Sequence, residues 1–248
     1  MASFCQTMLE RYADDVRIST EHPFLAAAGK HELSSDKLSE WLTQDRCYAL
    51  HGYPKFIASL ISALPLSSPS HQSASQSTLA LLSYAMSNIH REVGFFDSLT
   101  PRFGIDLARR PTARAAAGEA GKLEGGLMRT NTRAYVSLLV ATGAEANRNG
   151  GGMEEGLVLL WAMEKLYNQA WLFAAQHPVS PSGTDDKTSA ALTELIDNWT
   201  NPEFADFVAK CEAAVDALEL KEGTPAWSRA EEIFKYTLYL EQRFWPDM

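Results

Sequence analysis

Three carboxylates stand where apolar side chains belong. Leu38, Trp41, Asp45, Tyr48 and Gly52 follow one another at spacings of three and four, so a helix would carry Asp45 on the stripe that Leu38 and Trp41 mark as inward. Met153, Leu157, Leu160, Glu164, Tyr167 and Trp171 place Glu164 in the same way, and Phe234, Leu238, Glu241 and Trp245 place Glu241. Taken singly, each acid could sit at a helix flank or pair with a buried Arg or Tyr hydroxyl. Three together imply a ligand, partners or pKa values raised toward neutrality, because an unpaired carboxylate in a core is costly. Tyr48 and Tyr167 each follow their acid by three residues, setting phenol beside carboxylate on one helix face. Such a wall suits a flat aromatic ligand that carries an amine or a positive charge.

Other chemistries find less support. Carboxylate-bridged metal in a helical bundle calls for Glu-x-x-His on two helices, and the chain contains no such motif. His31, His71 and His177 fall in loops or at helix ends, and His51 and His90 lie one residue off the apolar stripes. His22, beside Pro23, could serve as an axial haem ligand but reads first as a capping or packing residue. No metal and no cofactor is therefore expected. Cys5, Cys47 and Cys211 are an odd number without ligand spacing, which points to a reducing, cytosolic compartment. Cys47 is a poor nucleophile, since nearby Asp45 would raise its pKa, and Cys5 and Cys211 read as packing residues. There is no Gly-x-Ser-x-Gly elbow, and Gly150-Gly151-Gly152 lacks the Lys-Ser/Thr of a phosphate loop, so it reads as a connection between helices.

The elements that must position the acids are helical. Apolar residues recur at helical spacing over segments 3–18, 36–63, 75–99, 131–147, 153–176, 187–199, 203–219 and 225–245, and period-two alternation is sustained nowhere. Ser34, Ser35 and Asp36 offer N-cap oxygens. Pro65 and the polar run 66–77 form a linker, while prolines and glycines break 100–129 into short helical turns. With 248 residues, 46% of them hydrophobic, the chain reads as one all-α domain over 1–248 with about seven or eight helices. A net charge of −9 argues against binding to nucleic acid or to an anionic membrane. No stretch reaches the length of a membrane span, and no secretory leader is readable at the N-terminus.

These residues resemble the TenA/thiaminase II family. His22-Pro23-Phe24 is similar to the family's early His-Pro-Phe, and Gln44-Asp45 with Tyr48 to its Gln-Asp-x-x-Tyr. Tyr135 stands where the family opens a helix with tyrosine, and Glu241 with Phe244-Trp245 matches its terminal Glu-x-x-Phe-Trp. Trp199 falls near a family aromatic. The resemblance runs from residue 22 to 245, with a poor match over 100–130. It implies a helical bundle of the haem-oxygenase-like fold, a homo-oligomer, and a small-molecule pyrimidine as partner. It also implies cleavage of a C–N bond in thiamin or its aminomethyl-aminopyrimidine breakdown product. By the same resemblance Asp45 holds the pyrimidine amino group, Tyr48 and Tyr135 wall the ring, Glu241 is the acid/base, and Tyr167 steadies that glutamate.

One residue departs from the pattern. Four positions before Tyr167, where the family carries its nucleophilic Cys, this chain has Met163, and a thioether cannot form the covalent adduct. The chain is thereby similar to the family branch that lacks the Cys and uses glutamates, with Glu164 available to polarise water. The leading expectation is a hydrolase of an aminopyrimidine or its N-formyl derivative in thiamin salvage, with Glu164 and Glu241 as the acid/base pair. The alternatives are a non-catalytic pyrimidine-binding or interaction protein and, less favoured for want of metal spacing, an oxidative enzyme of the same fold. On the hydrolase reading, Asp45, Glu164 and Glu241 should line one mostly enclosed pocket.

Overall fold

The computed structural model describes residues 2–65, 72–107, 128–148 and 152–248. Those residues form helices and connections, with no strand among them. In chain order the helices are α1 (Phe4–Arg11), α2 (Ala13–Thr20), α3 (Pro23–Gly29), α4 (Ser35–His51), α5 (Tyr53–Ala63) and α6 (Gln72–Phe103). They continue as α7 (Thr130–Glu145), α8 (Met153–Ala175), α9 (Asp186–Thr200), α10 (Pro202–Asp216) and α11 (Pro225–Glu241). None of the described helices is long and apolar enough to cross a membrane.

The helices are more numerous than periodicity alone suggests, because two of the continuous segments are broken. At Tyr12 the backbone leaves helical geometry, with φ −110° and ψ 30°, and divides the first segment into α1 and α2. The second segment breaks at Gly52, just ahead of Pro54, which has no N–H for a continuing helix ladder. A Cβ on Gly52 would also press on the Leu139 side chain of α7 at 2.7 Å. The short α3 falls between the first two periodic segments. His22 caps it, with Nδ1 accepting from Phe24 N at 3.2 Å, and Pro23 occupies its first turn. Residues 72–77, expected as linker, belong to α6. Residues 66–71 of that linker, and 108–127 of the expected short turns, lie outside the described residues. Gly152 does sit in a connection between helices, N-capping α8 at φ +116°, where a Cβ would overlap the Glu145 carbonyl.

The axis of the bundle is α8. Leu157 to Ala162 are all buried, so this helix is apolar around its whole circumference and must be surrounded. It packs against α2, α3, α7, α9, α10 and α11, and one connected core cluster extends from Phe4 in α1 to Trp245 beyond α11. Where α3 crosses the end of α8 the backbones touch. A Cβ on Gly29 would overlap the Ala174 carbonyl oxygen, a backbone atom that cannot swing aside. Gly29→Ala is accordingly expected to destabilise the protein by about 1–3 kcal/mol, the usual cost of overpacking. Urea denaturation reads this directly; an unchanged midpoint would mean that α3 has room to move off α8.

Candidate active site

Helix α4 brings Asp45 and Tyr48 to the interior, and the residue before them secures the neighbouring wall. The Gln44 carbonyl oxygen accepts from the Arg129 backbone N–H at 2.8 Å and from Thr132 Oγ1 at 2.9 Å, which fixes the start of α7 against α4. Tyr135, one turn further along α7, is thereby delivered to the same space. Met163, Glu164 and Tyr167 arrive from the central helix α8, Trp199 from the end of α9, and Glu241 from the end of α11. All three carboxylates expected to meet do so, in one pocket with about 470 Å³ of space not filled by atoms. Asp45, Glu164 and Glu241 are 3%, 8% and 4% exposed, so each acid is removed from bulk water.

Two pocket acids are bound by different partners than the resemblance implies. Tyr167, expected to steady Glu241, donates instead to Asp45 Oδ2 at 2.7 Å. It is Tyr135, expected as a wall for the ring, that donates to Glu241 Oε1 at 2.6 Å. The reason is placement: Asn131 on α7 donates to the Arg243 carbonyl just past α11 at 3.0 Å, which holds the end of α11 beside α7 and puts Tyr135 within reach of Glu241. Tyr48 points its hydroxyl at Met163 Sδ, 3.0 Å away, and stands edge-on to Tyr135 at 5.1 Å between ring centres.

The sequence analysis missed two members of the site. Tyr53, at the first position of α5, donates to Glu164 Oε1. Glu92 on α6 is a fourth pocket carboxylate, with Trp199 Nε1 donating to its Oε2 at 3.2 Å. A signal for Glu92 was present: Ala85, Ile89, Phe96 and Leu99 are all buried, and Glu92 interrupts their stripe as Asp45 interrupts that of α4. Tyr53 left none, since the break at Gly52 removes it from any readable period.

Among the described residues that line the pocket there is no Lys, Arg or His. Burial therefore raises every acid, and among the described residues only Arg91, beside Glu92, supplies a cation that pulls the other way. Asp45 and Glu164 are pushed up to about 7 and Glu241 to about 8, against single hydrogen bonds from Tyr167, Tyr53 and Tyr135 that pull the other way. Burial also lifts Glu92 well above the usual range, reinforced by the charges of Asp45 and Glu164. Near neutral pH such a set holds both protonated and ionised carboxyls, which is what general acid/base chemistry requires. The cysteines take no part: Cys47 packs with Met128 and Val136 outside the pocket lining, and burial raises the thiols of Cys5 and Cys211. No group of three or more His, Cys, Asp or Glu among the described residues is arranged to hold a metal ion.

Comparison with known proteins agrees with this architecture. A TenA homologue from Pyrococcus furiosus superposes with a TM-score of 0.73 at 22% identity, covering 98% of each chain. A TenA homologue from Pseudomonas syringae pv. tomato gives 0.71 at 8% identity over 97% of this chain and 90% of that one. One from P. horikoshii OT3 gives 0.68 at 15% identity over 98% and 97%. The chain has the fold of the TenA homologues. That TenA fold is all-α and haem-oxygenase-like, as the sequence resemblance implied. No known family's sequence profile matches the chain. A curated protein of Fusarium pseudograminearum strain CS3096, named a probable transcription factor, is 23% identical over 279 residues. The match takes in 98% of this chain, which spans about half, 52%, of that relative's length.

The raised acids make stability depend on pH in a definite direction. For Asp45, Glu164 and Glu241 the folded-state values lie above the ordinary 3.8 and 4.5, so the folded protein binds more protons than the unfolded one up to about 8. Stability then falls as pH rises through that window and levels off above it. His22 and His31, lowered by burial from 6.5, act in the opposite sense but only below that value. Between pH 6.5 and 8.5 the urea midpoint of the ligand-free protein should therefore fall, and fall less in Glu241→Gln. A midpoint that rises or stays flat over this range would show that the pocket acids are ionised in the folded state.

Proposed function

We propose that the pocket binds an amino-substituted pyrimidine with an aminomethyl or formylaminomethyl arm and hydrolyses the C–N bond of that arm, as in thiamin salvage. The observation that carries the proposal is the meeting of Glu241, Glu164 and Asp45 in one pocket walled by phenols, with no Lys, Arg or His among its described lining residues. A basic heterocycle supplies the positive charge and the N–H donors that such a pocket lacks, and its flat ring fits between aromatic walls. The motif resemblance to the TenA/thiaminase II family supports the same class of ligand.

On this reading Asp45, oriented by Tyr167, accepts from the ring amino group, and Tyr48 and Tyr135 flank the ring. Glu164, oriented by Tyr53, takes a proton from water as the water oxygen attacks the carbon bearing nitrogen. The C–N bond breaks, and Glu241 in its protonated form gives its proton to the departing amine. A folded value of about 8 keeps that proton in place at neutral pH. Met163 lines the pocket at the position where the family carries its thiol, so attack comes from water with no covalent enzyme intermediate.

Glu241→Gln keeps the shape and removes the proton, so turnover of the aminomethyl pyrimidine should fall roughly 10²-fold or more with binding retained. Asp45→Ala should instead weaken binding. Steady-state kinetics together with calorimetric titration separate the two effects. Full activity in Glu241→Gln would remove it from the chemistry, and binding without turnover in the wild type would leave a pyrimidine-binding protein.

Met163→Ala is expected to keep hydrolysis within roughly threefold, since no bond to that side chain forms. Thiamin, whose cleavage in the family runs through the thiol, should be a poor substrate for the wild type. A product assay that finds efficient thiamin cleavage would overturn the water route.

A further inference from the structure

The four pocket acids fall into two groups. Glu164 and Glu241 are held by Tyr53 and Tyr135, which both pack on Tyr48 at 6.2 and 5.1 Å between ring centres. Asp45 and Glu92 are held by Tyr167 and Trp199, which meet edge-on at 5.1 Å and 90°. Each carboxylate thus uses one oxygen on a neutral donor. The second oxygens, Asp45 Oδ1 and Glu92 Oε1 among them, accept no hydrogen bond from the described residues. Asp45 is 3% exposed, so its unpartnered oxygen meets only the pocket.

Arg91 acts on Glu92 through its charge but gives its hydrogen bonds to other residues. It adjoins Glu92 in sequence and gives Nη1 to Glu203 at 3.1 Å and Nη2 to the Asn88 carbonyl oxygen at 2.6 Å. Asn88, one turn before Glu92 on α6, shares the pocket wall and has its amide N–H group to offer. A ligand with a single basic nitrogen would satisfy one group of acids and leave the other two carboxyls without a donor. A heterocycle with nitrogen at both ends would satisfy both.

We propose that Glu92 is a specificity residue: with Asp45 it forms one acidic pole, which takes the amino-substituted nitrogen edge of a flat heterocycle, while Glu164 and Glu241 form the pole that takes a second amine. This rests on the reading of the pocket as an aminopyrimidine site and adds to it the demand for two basic poles.

The test compares wild type with Glu92→Gln by calorimetric titration against three probes. 4-Amino-5-aminomethyl-2-methylpyrimidine carries both poles, 4-amino-2,5-dimethylpyrimidine only the ring amino group, and 5-aminomethyl-2-methylpyrimidine only the arm. Gln keeps an acceptor oxygen but not the carboxylate charge, and losing that charge opposite the amino-substituted ring edge predicts roughly tenfold or more weaker binding of the two 4-amino probes, against less than about threefold for the third. An equal loss for all three, or none, would overturn the assignment of Glu92 while leaving the pocket's function standing. Failure of folded wild type to bind any probe would overturn the aminopyrimidine reading and this inference together. Stability provides the second readout. Removing a carboxyl that burial disfavours should raise the urea midpoint of the ligand-free protein at pH 8, whereas a lower midpoint or a failure to fold would mark Glu92 as structural.

Discussion

Burying carboxylates whose hydrogen-bond donors among the described residues are neutral is the constraint around which this molecule is arranged. A phenol or an indole gives a carboxylate one hydrogen bond and a fixed orientation, but no charge to stabilise its ionised form. The contrast lies within the same chain. Glu155 is as deeply buried, at 7% exposure, yet it accepts from Arg148 at 2.9 Å and Arg229 at 2.6 Å, and its carboxyl is lowered. Glu155 fastens α8 to α11. Glu164, fewer than three turns along the same helix, has only Tyr53 and is raised to about 7. Backbone N–H groups and guanidiniums at Glu155, against a lone phenol at Glu164, thus send two carboxyls of one helix in opposite directions.

Orientation without neutralisation needs a rigid backing, and the aromatic cluster supplies it. Tyr167 is stacked on Trp245 at 5.8 Å and 16°, and Trp171 on Trp199 at 4.8 Å and 25°, with Trp41 filling the space between them. The two side chains that hold Asp45 and Glu92 are members of this cluster, so their donors cannot turn away when the pocket is empty. A site whose first contacts are locked by packing spends little ordering on binding. The same packing explains why the wall comes from so many helices. Each contributes one or two side chains, and α8, apolar on all sides, keeps them in register.

Met163 fits this arrangement as a filler with a function. Its thioether receives the Tyr48 hydroxyl. Sulfur in this position keeps the tyrosine aimed across the pocket but offers no nucleophile. Under the proposed reaction the burden of bond-making passes to water and the burden of proton transfer to Glu164 and Glu241.

The sequence by itself determined the helical class and the three acids. Both are statements about periodicity along one helix, and a charge on an apolar stripe is visible wherever the stripe is. Glu92 obeyed the same rule on α6 and was legible but unread. What only the tertiary structure decided is which donor meets which acid. Tyr167 lies three residues after Glu164 yet serves Asp45 on another helix, and Tyr135 serves Glu241 more than a hundred residues away. The break at Tyr12 and the short α3 escaped for a related reason, because a helix of eight residues or fewer is held by what it packs against more than by its own propensity. Pairings across helices depend on packing angles and close backbone approaches such as Gly29 on Ala174. Those are set by the sum of many apolar contacts from distant parts of the chain, which no local spacing records.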